Sequence, residues 1–243
     1  MAEAFYKKFQ EELKLLSIDL EKKQLDQFFE YYELLIEWNK VMNLTAITEL
    51  DEVITKHFVD SLSLIKVKKD LDSIPYSIID VGTGAGFPGI PLKIAFPQLR
   101  ITLMDSLNKR INFLNEVIKK LELNDIKSIH GRAEDLGRDL IHREQYDICV
   151  SRAVANLSTL SEYCMPFVKV GGCFIPYKSG KIDEELTEAK HAVFLLGGKI
   201  VRTERFLLPG TEAERSFVEI SKVNIISKKY PRKAGLPSKE PLK

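Results

Sequence analysis

The sequence has too few cysteines for a disulfide framework. The chain has 243 residues and only three cysteines, Cys149, Cys164 and Cys173, with no CxxC spacing among them. An odd number of scattered cysteines favours free thiols over a disulfide framework. We therefore expect a protein of a reducing compartment, which places it in the cytoplasm.

Long apolar runs and an excess of either charge are missing as well. The N-terminal stretch MAEAFYKKFQEELKLL carries acids and lysines throughout, and no apolar run reaches membrane-spanning length. Lysine and arginine total 36 against 35 acids, a net charge of +1, so there is no overall field for nucleic acid or membrane. We expect a soluble protein with no membrane partner, and we predict no stable protein partner.

Histidines with ligand spacing are absent too. His130, His142 and His191 have no partners at the separations that metal sites use, so we assign no metal.

The first part of the chain has a helical pattern instead. Apolar residues recur at helical spacing and predict a helix that ends near Trp38, and a second helix is expected from about Glu49 to Ile65. The residues of the first apolar stripe are Leu25, Phe28, Phe29, Tyr32, Leu35 and Ile36. We interpret residues 1–74 as a helical extension, packed with the remainder into one compact unit.

From residue 75 onward, short β-branched runs alternate with helical ones. This βαβα order predicts an α/β fold with a parallel sheet, and a short link between the last two runs predicts an antiparallel C-terminal hairpin. Such a mostly parallel Rossmann-like sheet is typical of class I methyltransferases that use S-adenosylmethionine. The predicted strands are SIID, RITLMD, IKSIHG, YDICVS, GGCFIPY, IVRTERFLL and SFVEISKV. Residues 75–243 are thus predicted to form the methyltransferase domain.

The stretch IIDVGTGAGFPG, residues 78–89, supports this choice of cofactor. Gly82, Gly84 and Gly86 allow a sharp turn out of the first strand and a close approach of the backbone to a ligand. A dinucleotide site would need a third glycine where Phe87 stands. We therefore predict that Gly82 and Gly84 bind S-adenosylmethionine; the alternative is a tight turn without a ligand.

Two further anchors follow the next strands. Asp105 ends the second strand, where such folds place an acid that accepts hydrogen bonds from ribose hydroxyls. Ala133 and Glu134, in GRAED, follow the third strand, where the adenine edge is read. A helix N-cap for Asp105, and a short helix opened by Ala133 and Glu134, remain the alternatives.

The loop after the fourth strand indicates the chemistry. It reads Ser-Arg-Ala-Val from residue 151, not the Asp/Asn-Pro-Pro-aromatic loop of amino-group methyltransferases, and no cysteine is placed as a nucleophile. Guanine N7 carries no proton to remove, so positioning alone can supply most of the rate. Arg152 is predicted to bind the methionine carboxylate or to polarise guanine O6, unless it is an ordinary surface arginine.

A basic tail indicates the partner. Residues 222–243 hold seven lysines and arginines against one acid, Glu240. We predict RNA contacts by Lys228, Lys229, Arg232 and Lys233, with Tyr230 free to stack. Removal of the residues after Ser227 is expected to weaken RNA binding and to spare the cofactor. The alternative is a solvated tail without a partner.

Several motifs together resemble the bacterial glucose-inhibited division protein B family, the guanine-N7 methyltransferases of small-subunit ribosomal RNA. Besides the glycine loop they are WNKVMNLTAIT, KHFVDSL, MDSLNKRINFL, GRAED, SRAVA and YPRKAGLP. The resemblance implies methyl transfer from S-adenosylmethionine to N7 of one guanine in 16S ribosomal RNA, as free RNA or in the 30S subunit. It also implies cofactor contacts by Gly82, Phe87, Asp105, Ala133, Glu134 and Arg152.

Four polar residues of the extension complete the candidate site. Asn39, Asn43, His57 and Asp60 are expected at the mouth where the guanine enters, as positioning groups. An equally good reading is that they fix the extension on the sheet by capping and hydrogen bonding. Two other functions stay open. One is methylation of another RNA, a protein or a small molecule, and the other is RNA binding by a non-catalytic assembly factor.

Overall fold

The chain begins with helices. The computed structural model describes residues 2–243. Helix α1 spans Ala2–Lys14 and α2 spans Lys22–Met42. The predicted end of α2 near Trp38 falls one turn short, because the helix continues until Asn43 adopts a left-handed φ of 48°. Asparagine is one of the few residues that tolerate this conformation after a helix.

The third helical run changes its winding along its length. It confirms the helix predicted from about Glu49 to Ile65, but the apolar spacing does not predict the π-helical turn at its centre, which carries His57. Turns of this kind occur often at functional sites. The run consists of α3 Leu50–Val53, the π-helical turn Ile54–Val59, α4 Asp60–Leu62 and a 3₁₀ turn Ser63–Lys66.

A seven-stranded sheet follows, in the order β3-β2-β1-β4-β5-β7-β6. Strands β1 to β5 are parallel, and β7 pairs antiparallel with both β5 and β6. This confirms the predicted mostly parallel sheet with an antiparallel C-terminal hairpin. The strands are β1 Ser77–Val81, β2 Arg100–Asp105, β3 Ile126–His130, β4 Tyr146–Arg152, β5 Val168–Ser179, β6 Gly198–Leu207 and β7 Glu214–Lys222.

Apolar side chains bury both faces of the central strands. Ile78 and Ile148 belong to one core cluster, whereas their chain neighbours Ile79 and Cys149 belong to the other. Parallel strands covered by helices on both sides need apolar residues on both faces. The remaining helices are α5 Gly89–Ala95, α6 Asn108–Lys120, α7 Ala133–Leu136, α8 Leu157–Cys164, α9 Asp183–Leu195 and α10 Leu236–Lys239.

An aromatic cluster connects the helical extension to the glycine loop. Ring centroids are 4.7 Å apart for Phe9 and Phe28, 5.1 Å for Phe28 and Phe58, and 6.1 Å for Phe58 and Phe87. All four rings are at most 5% exposed. Aromatic pairs at such separations stabilise a core beyond the area that they bury. The core of the extension is therefore continuous with the core of the sheet.

We expect this shared core to make the extension and the sheet unfold together. Phe9→Ala removes a fully buried ring and should lower the free energy of unfolding by about 3–5 kcal/mol. Urea unfolding, followed by the fluorescence of Trp38, the only tryptophan, and by far-UV circular dichroism, should show one coincident transition.

The control for this prediction is Phe194→Ala, which removes a ring that is 73% exposed. Its effect should stay within about 0.5 kcal/mol. Two separate transitions in the unmodified protein would show that the two parts are independent units.

Candidate active site

A cavity of about 400 Å³ opens at the carboxyl ends of β1, β2 and β3. Open α/β sheets bind ligands at this edge, where the strand order reverses, and here it reverses between β1 and β4. The cavity is lined by Val81, Gly82, Met104, Asp105, Ser106, Gly131, Arg132, Ala133, Glu134, Val154, Tyr163 and Gly235. We call it the first cavity.

The glycine loop has the backbone that its sequence predicts. Gly82, Gly84 and Gly86 have φ angles of 72°, 62° and 97°, in the left-handed region that favours glycine. A Cβ atom on Gly86 would lie 2.5 Å from Ile90 Cδ1, so this glycine serves packing. A Cβ atom on Gly84 would meet nothing within 4 Å. Gly84 therefore presents bare backbone to open space, which fits close approach by a ligand.

Asp80, immediately before the loop, was not predicted as a site residue. Its Oδ2 accepts hydrogen bonds from Thr83 Oγ1 at 2.6 Å and from Gly89 N at 2.9 Å. Its Oδ1 is buried without a partner in residues 2–243, and burial raises the pKa of Asp80 to about 6. An unpaired carboxylate oxygen beneath this loop fits an amino-acid ligand that brings an ammonium group.

Asp105 lines the first cavity and also organises the loop. Its Oδ2 accepts a hydrogen bond from Gly84 N at 3.0 Å and one from Arg110 Nη1 at 3.2 Å, and its Oδ1 accepts one from Leu107 N at 2.9 Å. Each carboxylate oxygen can accept more than one hydrogen bond. The carboxylate thus retains capacity for ribose hydroxyls, and the ribose contact remains a prediction.

Ala133 and Glu134 begin the short helix α7, as the structural alternative expects. Both residues also line the first cavity. Glu134 Oε1 accepts a hydrogen bond from Gly235 N at 2.9 Å. Gly235 belongs to the tail and was not predicted here, because a contact across 101 residues leaves no trace in local spacing. Removal of the residues after Ser227 would therefore take this hydrogen bond and one lining residue from the first cavity.

A second cavity, of about 420 Å³, adjoins the first across the loop that follows β4. Val154 of this loop lines the first cavity, and Ala153 lines the second. The second cavity is lined by Ile47, Lys56, His57, Asp60, Arg152, Ala153, Ala155, Leu160, Tyr177, Lys178, Ser179, Glu185 and Arg215. The two cavities thus share one loop as a dividing wall.

The Asp60 carboxylate lies between two arginines of the second cavity. Its Oδ2 accepts a hydrogen bond from Arg152 Nη1 at 2.7 Å, and its Oδ1 accepts one from Arg215 Nε at 2.8 Å. The Asp60 side chain is only 4% exposed, so its charge depends on these partners. Asp60 begins α4, Arg152 ends β4 and Arg215 lies in β7. One carboxylate therefore joins the extension to two strands.

His57 is a neutral hydrogen-bond acceptor toward Arg152. Its Nδ1 lies 3.1 Å from Arg152 Nη2, which can only donate, so the ring proton is on Nε2 and is donated to Thr45 Oγ1 at 2.8 Å. Burial and, secondarily, the Arg152 charge lower the pKa of His57 to about 3. His57 is therefore too weakly basic to take up a proton near neutral pH, and it orients Arg152.

The ring of Phe87 packs against both His57 and Arg152. It stacks on His57 with centroids 4.4 Å apart, and Arg152 Cζ lies 5.1 Å from the ring centroid. The ring is 5% exposed and lines neither of the two cavities. The Phe87 ring thus packs as core, and the cofactor contact that the resemblance implies for this residue stays a prediction.

Arg152 retains two donors for a ligand. Its Nη1 donates to Asp60 and to the Lys56 carbonyl oxygen at 3.1 Å, and one Nη2–H points to His57. A guanidinium has five N–H groups, so Nε–H and the second Nη2–H have no partner in the described chain. Arg152 is therefore held in place and is still able to bind at the cavity wall.

Asn39 and Asn43 line neither cavity and instead shape the segment that supports His57. Asn39 pairs with the backbone of Thr45, with Oδ1 accepting from N at 2.9 Å and Nδ2 donating to O at 3.0 Å. Asn43 ends α2. These contacts match the capping alternative, and Asn39 acts on the site through Thr45 and His57.

Sequence reasoning missed Arg215, Tyr177 and Lys178, which all line the second cavity. Tyr177 and Lys178 lie near the end of β5, and Arg215 reaches them because it pairs with Ser179 across the antiparallel ladder. No local spacing relates residue 215 to residue 60. Arg215 is the last residue of the short link PGTEAER that predicted the hairpin, and that was the only signal.

The basic tail is more ordered than predicted. Arg232 donates to the buried Glu162 carboxylate from N, Nε and Nη2, at 2.6 to 3.1 Å, and Tyr230 is 5% exposed. Both residues therefore pack against the domain, and the RNA contacts predicted for them stay predictions. Lys228, Lys229 and Lys233 are exposed as expected.

The described residues lack three other kinds of site. The three cysteines are buried, and burial raises the pKa of Cys173 to about 12 and that of Cys149 well above its ordinary value, so neither is a thiolate nucleophile. No group of three or more metal-binding side chains occurs in residues 2–243. Within the same range, no helix is both long enough and apolar enough to cross a bilayer.

Comparison with known proteins identifies close relatives. A family model described as GidB, rRNA small subunit methyltransferase G, matches residues 24–218. The ribosomal RNA small subunit methyltransferase G of Lachnoclostridium phytofermentans is 59% identical over 230 residues, which are 95% of this chain and 94% of that protein. The protein of the same name from Acetivibrio thermocellus is 53% identical over 225 residues, 93% and 91% of the two chains.

Solved structures share the fold. M. jannaschii TYW2 in complex with AdoMet matches with a TM-score of 0.50 at 19% identity, over 65% of this chain and 76% of that chain. This likeness shows the architecture alone, and it confirms the predicted fold class.

The open space above Gly84 leads to a prediction. Gly84→Ala places a methyl group in the open space over the glycine loop and should weaken the binding of S-adenosylmethionine, measured by titration calorimetry, by about tenfold or more. Gly171→Ala is a matched control, because Gly171 also has a left-handed φ, 87°, with nothing within 4 Å, but lies in β5 outside the cavity.

Both variants should lose a similar stability of about 1–2 kcal/mol, and only Gly84→Ala should lose affinity. Equal affinities for the two variants would refute the assignment of the glycine loop to the cofactor. Gly84 is a better probe than Gly82, where an added Cβ would already lie 2.7 Å from Val154 Cγ2.

Proposed function

The chain belongs to the GidB family of small-subunit ribosomal RNA methyltransferases, and from this premise we propose how its two adjoining cavities methylate N7 of a guanine in 16S ribosomal RNA. The enzyme uses S-adenosylmethionine. The observation that carries the proposal is that the loop after β4 lies between the two cavities. Glycine backbone and carboxylates line the first cavity, and cations line the second.

The first cavity has the chemistry for S-adenosylmethionine. Gly82 of the glycine loop lines this cavity. The same loop has open backbone at Gly84 and begins directly after Asp80, whose Oδ1 is unpaired, and both features suit the amino-acid end of this molecule. Asp105 suits the ribose, and the segment with Ala133 and Glu134 suits the adenine. These assignments require no phosphate-binding glycine at Phe87.

The second cavity has the charge for a nucleotide. Four cations and two carboxylates line it, an excess of two positive charges, because His57 is neutral. Positive charge in a partly desolvated cleft attracts a phosphate backbone and favours nucleotide over free base. The cations are Lys56, Arg152, Lys178 and Arg215, and the carboxylates are Asp60 and Glu185.

The reaction requires little acid–base catalysis from the protein. Bound S-adenosylmethionine supplies a methyl group activated by a sulfonium sulfur. Guanine N7 has an in-plane lone pair and no proton, so the protein must orient the base and exclude water. Arg152, aligned by His57 and Asp60, offers its two remaining N–H groups to guanine O6 and so fixes the orientation of the base toward the sulfonium.

The outer surface of the tail supplies sequence-independent contacts. Lys228, Lys229 and Lys233 are exposed on one short stretch, and together they suit a phosphate backbone beyond the target guanine. We assign the substrate as 16S RNA within or on its way to the 30S subunit, and therefore place the enzyme in the cytoplasm.

The test incubates the protein with methyl-labelled S-adenosylmethionine and either naked 16S RNA or 30S subunits. Label should enter the RNA, and chemistry that cleaves at N7-methylguanine should locate it at one position. A parallel reaction with GTP should take up no label, because a free nucleotide lacks the RNA that the tail contacts. Absence of label from both RNA substrates, or label at another atom, would contradict the proposal.

A further inference from the structure

The last residues of the chain, 223–243, form a segment that follows β7, and we call it the C-terminal segment. The family model ends at residue 218, so this segment lies outside the match. It nevertheless returns to the edge of the sheet where the first cavity opens. Gly235 is one of the residues that line that cavity.

Gly235 has a backbone suited to contact with a ligand. Its φ is 81°, and a Cβ atom built on it would meet nothing within 4 Å, so its Cα faces open space. Its N–H donates to Glu134 Oε1 at 2.9 Å. The segment and helix α7 therefore form one wall of the cavity, joined through Glu134.

An ion pair between Arg232 and Glu162, which we call the latch, holds the segment in place. Glu162 on α8 is fully buried, and its only partner in the described chain is Arg232, which donates to both carboxylate oxygens and also from its backbone N. A buried carboxylate without its arginine is strongly disfavoured. The latch lies three residues before Gly235 and thus fixes the approach of the backbone to the cavity.

Further hydrogen bonds tie the segment down on both sides of the latch. Arg143 donates to the carbonyl oxygens of Ile226 at 3.0 Å and of Tyr230 at 2.9 Å. Thr159 Oγ1 donates to the carbonyl oxygen of Pro237 at 3.1 Å. The segment is therefore built into the domain along its length, which a solvated tail would not need.

We infer that the C-terminal segment is a wall of the cofactor site, where the Gly235 backbone contacts the nucleoside part of S-adenosylmethionine and the Arg232–Glu162 latch maintains that contact. The inference rests on the proposed cofactor cavity. It gives the segment two faces: Gly235 on the inside serves the cofactor, and the lysines on the outside serve RNA.

Gly235→Ala in the full chain tests the inner face. The added methyl group should raise the Kd for S-adenosylmethionine, measured by titration calorimetry, by about tenfold. Gly171→Ala provides the control, with a φ of 87° and equally open surroundings away from the cavity. The two variants should melt at similar temperatures, so that a loss of affinity is not a loss of folding.

The latch is tested by the double variant Glu162→Gln with Arg232→Gln, which removes both charges together and leaves no unpaired buried ion. Its Kd should rise by about fivefold or more as the segment loosens. The variant with Lys228, Lys229 and Lys233 all replaced by Gln changes only the outer face. It should bind 16S RNA more weakly, with a salt slope shallower by about 2, and should keep its cofactor affinity.

Cofactor affinities of Gly235→Ala and of the latch variant within about twofold of the unmodified protein would overturn the inference while leaving the proposed function intact. Failure of the unmodified protein to bind S-adenosylmethionine would overturn the proposed function instead. An unchanged RNA affinity in the lysine variant would show that these three lysines do not bind RNA.

Discussion

The carboxylate of Asp60 is the interaction on which the arrangement of the site depends. It is nearly inaccessible to water and binds Arg152 with one oxygen and Arg215 with the other. Without it, two guanidinium groups would repel each other at the mouth of the second cavity. Because Asp60 belongs to the helical extension, the extension is a structural part of the candidate active site, and the aromatic cluster around Phe58 holds it against the sheet.

Two additions to an ordinary methyltransferase sheet complete its two cavities. The extension supplies Asp60 and His57 to the second cavity, and the C-terminal segment supplies Gly235 to the first. Both reach the same edge of the sheet, which the parallel strands fix. Under the proposed function, this division explains why the loop after β4 needs no base of its own: Arg152 is positioned by the extension, and guanine N7 has no proton to lose.

The sheet and the glycine loop could be predicted because their determinants are local. Alternating apolar runs, a short hairpin link and glycines at left-handed φ angles are all visible in short windows. Arg215 and Gly235 could not be predicted, since each meets its partner across a hundred residues or more. The ion pair of Arg232 could not be predicted for a related reason: in the sequence its charge suggests RNA, and its partner in the fold is a buried carboxylate on α8, 70 residues away.

The most direct test of this account is a double-mutant cycle on unfolding free energy between Asp60→Asn and Arg215→Gln. Asp183 and Arg205 form an exposed ion pair and provide the matched control cycle. We predict a coupling of about 2 kcal/mol or more for the buried pair and no more than about 0.5 kcal/mol for the control. Equal coupling in the two cycles would contradict the claim that Asp60 joins the extension to the sheet.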